Sequence, residues 1–151
     1  MSIIAQYQKY TKLPLGNWMF NKVIGFSAPF FGKLKPNVTQ YSAGHCEVRI
    51  KDRWGIRNHI GTINAGALCS VAELTGGLAL DSVVAKNLRW LPKGMTVSYI
   101  KKAVGPQTCI CKIGDAVTES GEINVPLVVV DSDNDTVFSA DINFYISHKP
   151  S

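Results

Sequence analysis

Asn58-His59-Ile60-Gly61-Thr62-Ile63-Asn64-Ala65-Gly66-Ala67-Leu68-Cys69-Ser70-Val71-Ala72-Glu73-Leu74-Thr75-Gly76-Gly77-Leu78-Ala79-Leu80 is the stretch that decides the fold. From Ala65 to Leu80 nearly every residue is small or apolar, and Glu73 alone carries a charge. A surface helix shows a polar stripe, whereas a helix apolar all round is buried on all sides. The stretch therefore predicts a buried helix from about Ala65 to Val84. A carboxylate inside it costs roughly several kcal/mol unless it is paired, hydrogen-bonded or protonated. Such a cost most often marks chemistry, which makes Glu73 the first candidate functional residue. Gly76-Gly77 predicts a close approach of the sheet, since glycine in a helix otherwise costs about 1 kcal/mol. Ser70, with no His or Asp in a triad pattern, reads as a small packing residue.

Outward from this helix, the flanks are strand-like. Gln40 to Lys51 reads as one strand, with Cys46, Val48 and Ile50 on one side and His45, Glu47 and Arg49 on the other. Trp54 to Gly61 reads as a loop. After the helix, Lys93-Gly94 closes a connection, and strands follow at Met95–Ala103, Gln107–Val117, Asn124–Val130 and Thr136–Ser147. Asp133-Asn134-Asp135 is a hairpin turn, because Asn and Asp tolerate the required backbone geometry and bond to nearby amides.

The N-terminal 36 residues are helical instead. Ile3 to Tyr10 forms one helix, and Asn17 is placed as the N-cap of a second through Trp18, Phe20, Val23 and Ile24. Phe26, Phe30 and Phe31 follow, bracketed by Pro29 and Gly32. Aromatic residues this dense read first as core packing, and second as one wall of an apolar ligand tunnel. A sheet curled on a helix buries that helix on most sides, so the expected class is α+β. The architecture is an antiparallel sheet of five or six strands wrapped around one long central helix, with extra N-terminal helices. With no repeat or linker, residues 1–151 read as a single domain, divided into a helical extension (1–36) and a core (37–151).

Composition narrows the function. A chain of 151 residues, 46% hydrophobic and 18% charged, is globular rather than disordered. The net charge of +5 suits an anionic small ligand. No dense basic run or nucleic-acid motif accompanies it, so no nucleic-acid partner is expected. Cys46, Cys69, Cys109 and Cys111 include no CxxC pair and no Cys/His cluster of zinc spacing, so no metal site is expected. They read as small hydrophobes in a reducing compartment. Neither a signal-peptide pattern nor an uninterrupted apolar run of about 18 residues is present, which predicts a soluble cytoplasmic protein without membrane insertion.

The run from Asn58 to Glu73 resembles the signature of hotdog-fold acyl-CoA thioesterases of the phenylacetate-pathway and thioesterase-superfamily type. Their form is Asn-x-x-Gly-x-x-His-Gly-Gly, with Asp or Glu seven residues after the second Gly. Here the places are taken by Asn58, Gly61, Asn64, Ala65, Gly66 and Glu73, without a gap. The strand order extends the likeness over roughly Gln40 to Ser147. It is closer still to an uncharacterised bacterial hotdog branch with aromatic N-terminal helices and an Asn-Ala-Gly-Ala-Leu helix entrance.

The resemblance implies a homodimer or dimer of dimers with active sites at the subunit interface, acting on an acyl-CoA, with coenzyme A as part of the substrate and no separate cofactor. Glu73 would be general base or nucleophile, and Asn58 would orient water or contact the carbonyl; the alternative for Glu73 is a structural role, bonding loop amides and fixing the dimer. The Ala65 N–H would hold the oxyanion, with Gly66 beside it, and Thr96 would fall near a water-binding position. Asn64 departs from the pattern: its amide can donate to a carbonyl but cannot shuttle a proton as His does. His59 is offset by five residues from the usual His place and, as a loop residue, reads first as surface. Lys101 and Lys102, with Arg57 and Arg89, read equally as contacts for the coenzyme A phosphates and as solvated charges at the sheet edge. The other class of function open to the chain is a non-catalytic hotdog module binding acyl-CoA or another apolar ligand. Hydratase chemistry is the weaker third, because the His-based motifs it needs are missing.

Overall fold

A computed structural model describes residues 2–114 and 116–150. Three helices lead the chain: α1 (Ile3–Tyr10), α2 (Gly16–Ser27) and the single turn α3 (Pro29–Gly32). A hairpin follows, β1 (Asn37–Ser42) and β2 (His45–Ile50), and then the central helix α4 (Ala65–Asp81). The rest of the sheet is β3 (Leu88–Tyr99), β4 (Gln107–Lys112), β5 (Gly121–Val130) and β6 (Thr136–His148). The strands form one antiparallel sheet in the order β1-β2-β4-β5-β6-β3, so β1 and β3 are its edges.

One face of the sheet closes on α4. Cys46, Val48 and Ile50 of β2, Cys109 and Cys111 of β4, Val125, Leu127 and Val129 of β5, and the alternating Phe138, Ala140, Ile142, Phe144 and Ile146 of β6 are all buried. They meet Leu68, Val71, Ala72, Leu78 and Leu80 of the helix in one core. The expected close approach is there: a Cβ on Gly76 would sit 3.1 Å from Ile142, and one on Gly77 would sit 2.8 Å from the Trp90 ring. Cys109 and Cys111 do share a face, and burial pushes both thiols up to about 12, as befits inert packing groups.

Several expectations need correction. Helix α4 ends at Asp81 instead of Val84, and β4 ends at Lys112 instead of Val117. The predicted strand over Gln40–Lys51 is a hairpin, turned at Ala43-Gly44, where Gly44 takes φ +68°. A Cβ there would lie 2.5 Å from the Ile113 carbonyl, so only glycine fits. Lys93-Gly94 is not a connection; it is a bulge inside β3, which begins at Leu88 and ends at Tyr99 instead of Ala103. A bulge keeps pairing while re-aiming the strand, and Pro is tolerated at such an edge position. Asn17 does not cap α2, whose N-cap is Leu15; the Asn17 amide instead donates to Asn37 Oδ1 at 3.3 Å. The N-terminal aromatics also divide in a way neither expectation foresaw. Phe20 is fully buried against Tyr7, Tyr10 and Tyr41, while Trp18, Phe26 and Phe30 point into solvent.

Candidate active site

The site begins with the loop that delivers the chain to α4. Asn58 is its organiser: its Oδ1 accepts from the Ile60 and Thr62 amides (both 3.1 Å), and its Nδ2 donates to Thr62 Oγ1 at 2.8 Å. Gly61 takes φ +80°, a left-handed conformation that favours glycine. Backbone bonds from Ile63 N to Ala103 O (2.9 Å) and from Asn64 N to Ile56 O (2.8 Å) then pin the helix entrance. Asp52 clasps the same region, accepting from Arg57 Nε at 2.6 Å and from the Gly105 amide at 3.0 Å. The bond from Arg57 is the main reason its carboxyl lies below the usual range, helped by the Gly105 amide and opposed by burial.

Asn64 is the N-cap of α4, its Oδ1 accepting from the Gly66 amide at 2.7 Å. Any Cβ on Gly66 would crowd that oxygen at 3.1 Å. The Asn64 carbonyl already accepts from Ala67 and Leu68. Among the described residues the Ala65 N–H and the Asn64 Nδ2 have no acceptor, so two donors stand free at the positive end of the helix dipole. Both belong to exposed residues.

A cavity of about 250 Å³ opens beside them, lined by Asn58, Thr62, Ile63, Ala65, Leu68, Tyr99, Lys101, Lys102 and Ala103. Four of the expected site residues, Asn58, Ala65, Lys101 and Lys102, are thus brought together. Lys101 is already engaged, donating to Asp131 and Asp135 at 2.7 Å each, and this double pairing pushes its ammonium pKa up. Lys102 is exposed and has no ionic partner among the described residues. Of the other candidate cations, Arg57 is held by Asp52 and Arg89 Nε donates to Ser147 Oγ at 3.2 Å. His59 is exposed on the loop and its ring has no partner among the described residues.

Glu73 lies elsewhere. The helix is not buried all round, as its composition predicted; Gly66, Cys69, Ser70 and Glu73 form one partly open stripe, and Glu73 is half-buried on it. Among the described residues no hydrogen bond or ion pair holds its carboxylate. Eight residues at about 1.5 Å rise put it roughly 12 Å along the axis from Ala65, so it does not line the Ala65 cavity. Between them, Cys69 Sγ meets the Tyr99 hydroxyl at 3.4 Å, a contact that raises the phenol's pKa. Ser70 spends its hydroxyl on the Gly66 carbonyl at 2.7 Å, which fits a packing residue.

Thr96 is the candidate most clearly separated from the rest. Tyr99 reaches α4, so β3 turns Met95, Val97 and Tyr99 toward the helix and Gly94, Thr96 and Ser98 away from it. Thr96 pairs with Asp141 on the outer face of the sheet. Sequence reasoning missed Tyr99, Leu68 and Cys69 as neighbours of the site. The alternation Met95-Val97-Tyr99 carried that signal, once β3 was known to be a strand with one face on α4.

The family model of a domain of unknown function, DUF4442, matches residues 16–146. The chain belongs to this family. This DUF4442 protein matches no curated protein. It is similar to the crystal structure of the genomics target APC5556, at 33% identity and a TM-score of 0.84, over 97% of this chain and 99% of that one. It is also similar to PA5026 from Pseudomonas aeruginosa, a protein of unknown function and probable thioesterase (20% identity, TM-score 0.78, 91% and 97% covered). A third likeness is to the thioesterase HI1161 from Haemophilus influenzae (12%, TM-score 0.74, 90% and 92%). These likenesses settle the architecture: the DUF4442 chain has the α+β hotdog fold, as the motif implied.

Proposed function

We propose that this DUF4442 protein is an acyl-CoA thioesterase working as a homodimer, or as a dimer of dimers, with sites shared between subunits. The observation that carries the reading is the separation of Ala65 from Glu73. An oxyanion donor and the base for an attacking water must both lie within a few ångströms of one carbonyl, and along a single α4 they do not. A second copy, meeting the first along the bare edge strand β3, would set the Glu73 of one chain against the helix entrance of the other. Edge strands of this length invite such pairing.

In that arrangement Glu73 takes a proton from water and the resulting hydroxide adds to the thioester carbon; direct attack by the carboxylate is the covalent variant. The Ala65 N–H, with the free Asn64 Nδ2 beside it, stabilises the oxyanion. The C–S bond then breaks and the coenzyme A thiolate leaves. Asn58 acts by holding the loop, Gly66 by leaving room for the cap, and Lys102 is the cation best placed to meet a phosphate. A panel of acyl-CoA esters followed for free thiol tests the proposal. Glu73→Gln keeps the shape and removes the base, so turnover falls roughly 10²–10⁴-fold while the dimer persists. Undiminished turnover in that variant would sink the mechanism.

One observation favours a second reading. Asn64 Oδ1 is spent on the Gly66 amide, so the residue in the His place offers donors and no proton acceptor. A module that binds acyl-CoA without cleaving it needs no more. Retained acyl-CoA binding with no thiol released from any ester would establish that reading instead.

A further inference from the structure

The outward face of α2 is apolar, the reverse of what a helix packed on a protein surface shows. Its inner stripe is Gly16, Phe20 and Ile24. On a helical projection Leu15, Trp18, Met19, Lys22 and Phe26 all fall within a sector of roughly 100° opposite Phe20. Leu15 is 78% exposed, Trp18 60% and Phe26 88%, and Phe30 of α3 adds a further exposed ring. The sector's single polar residue, Lys22, holds its Nζ 5.5 Å from the Trp18 ring centroid. Gly25 and Gly32 let α3 fold back tightly on α2, since a Cβ on Gly32 would lie 2.6 Å from the Gly25 carbonyl oxygen.

Charge is distributed as unevenly as exposure. Lys9, Lys12, Lys22, Lys33 and Lys35 precede Glu47, which is the first acidic residue of the chain. All five lysines are exposed. The whole net charge of +5 therefore belongs to the first 46 residues; beyond them eleven basic and eleven acidic residues cancel. Exposed Trp and Phe rings on a layer that is solely cationic are what an element lying on an anionic lipid surface requires. A symmetric contact between two copies would set two such cationic layers against each other.

We propose that α2 and α3 form a peripheral docking surface for an anionic membrane. Trp18, Phe26 and Phe30 enter the headgroup region, and the lysines meet lipid phosphates. The protein lies on the bilayer and does not cross it; no helix among the described residues is long and apolar enough to do so.

Flotation of the full chain with vesicles tests this. The chain should float with phosphatidylcholine vesicles containing phosphatidylglycerol, much less with phosphatidylcholine alone, and less as salt shortens the screening length. Phe26→Ser combined with Phe30→Ser should lower the partition coefficient roughly tenfold or more. Lys33→Gln with Lys35→Gln should lower it about as much, on anionic vesicles only. These side chains face solvent, so unchanged thermal unfolding serves as the folding control. Failure of the wild-type chain to float with anionic vesicles overturns the proposal. So does a change in oligomeric state of the Phe26→Ser/Phe30→Ser variant without lipid, which would make this face a protein contact.

Discussion

Strands β1 and β3 are the two edges of one sheet, yet β1 is 6 residues long and capped at one end by α2, while β3 is 12 residues long and has no such cap among the described residues. At β1, Asn21 Oδ1 accepts from the Val38 N–H at 2.8 Å, and its Nδ2 donates to Asn37 Oδ1 at 2.8 Å. Phe20 is packed 5.0 Å from the Tyr7 ring and 6.4 Å from the Tyr41 ring, seating α1 and α2 on the same strand. At β3 nothing comparable exists among the described residues: β6 is its only strand partner, and Arg89, Leu91, Thr96, Ser98 and Tyr99 are exposed. An uncovered edge strand presents unpaired backbone groups that can template pairing with another chain. The contrast teaches that helices cap one edge of the sheet, whereas the other edge, beside the helix entrance and Tyr99, is left uncapped among the described residues.

The largest expected effect breaks the contrast at its bare side. Thr96→Lys with Ser98→Lys sets like charges along β3, and light scattering should then report a monomer. Under the proposed shared site, acyl-CoA hydrolysis should fall with it, by roughly a hundredfold or more, because such a site would lose its geometry. A dimer that survives these charges would mean that copies meet elsewhere. On the covered side, Phe20→Ala should cost about 3–5 kcal/mol in denaturant unfolding. A cost below about 1 kcal/mol would mean that α2 merely rests on the sheet. Asn21→Ala should cost about 1–3 kcal/mol by orphaning the Val38 amide, with no change in oligomeric state.

The smallest effect is one of pH. Asp52 ties the entrance loop to Gly105 beside the bare edge, and its folded pKa lies below the ordinary 3.8. Because the folded value is the lower one, the clasp contributes fully above 3.8 and is lost as pH falls through the folded value. This group should therefore add no pH dependence to thermal unfolding near neutrality; its loss should set in near 3.8 and be complete below the folded value. Asp52→Asn should reduce that acid slope; an unchanged slope would assign it to other carboxylates.

Much of this was legible in the residues. The largely small and apolar run after Asn64 located α4, and the Asp133-Asn134-Asp135 turn was right, with Asn134 at φ +64° and Asp131 accepting from the Asp133 and Asp135 amides. Boundaries were less legible where two signals compete. The Ala43-Gly44 turn was lost inside an alternating apolar pattern that continues across it. Pro92-Lys93-Gly94 looks like a loop because proline and glycine mark breaks, and only pairing with β6 shows a bulge. Asn64 could be read as a stand-in for His, but its work as helix cap depends on where α4 starts.

What the sequence determined by itself is the central helix, the strands that wrap it and the spacing that sets Asn58, Asn64, Ala65 and Glu73 in one motif. Those follow from local periodicity and from residue chemistry, which act over a few positions. Only the tertiary structure decided that Thr96 faces away from α4 and that Lys101 is held by two aspartates from another hairpin. It also decided that Glu73 sits half-open on a partly exposed stripe of α4, with no hydrogen bond or ion pair to its carboxylate among the described residues. Register, face and through-space pairing depend on segments far apart in the chain, and no local pattern carries them.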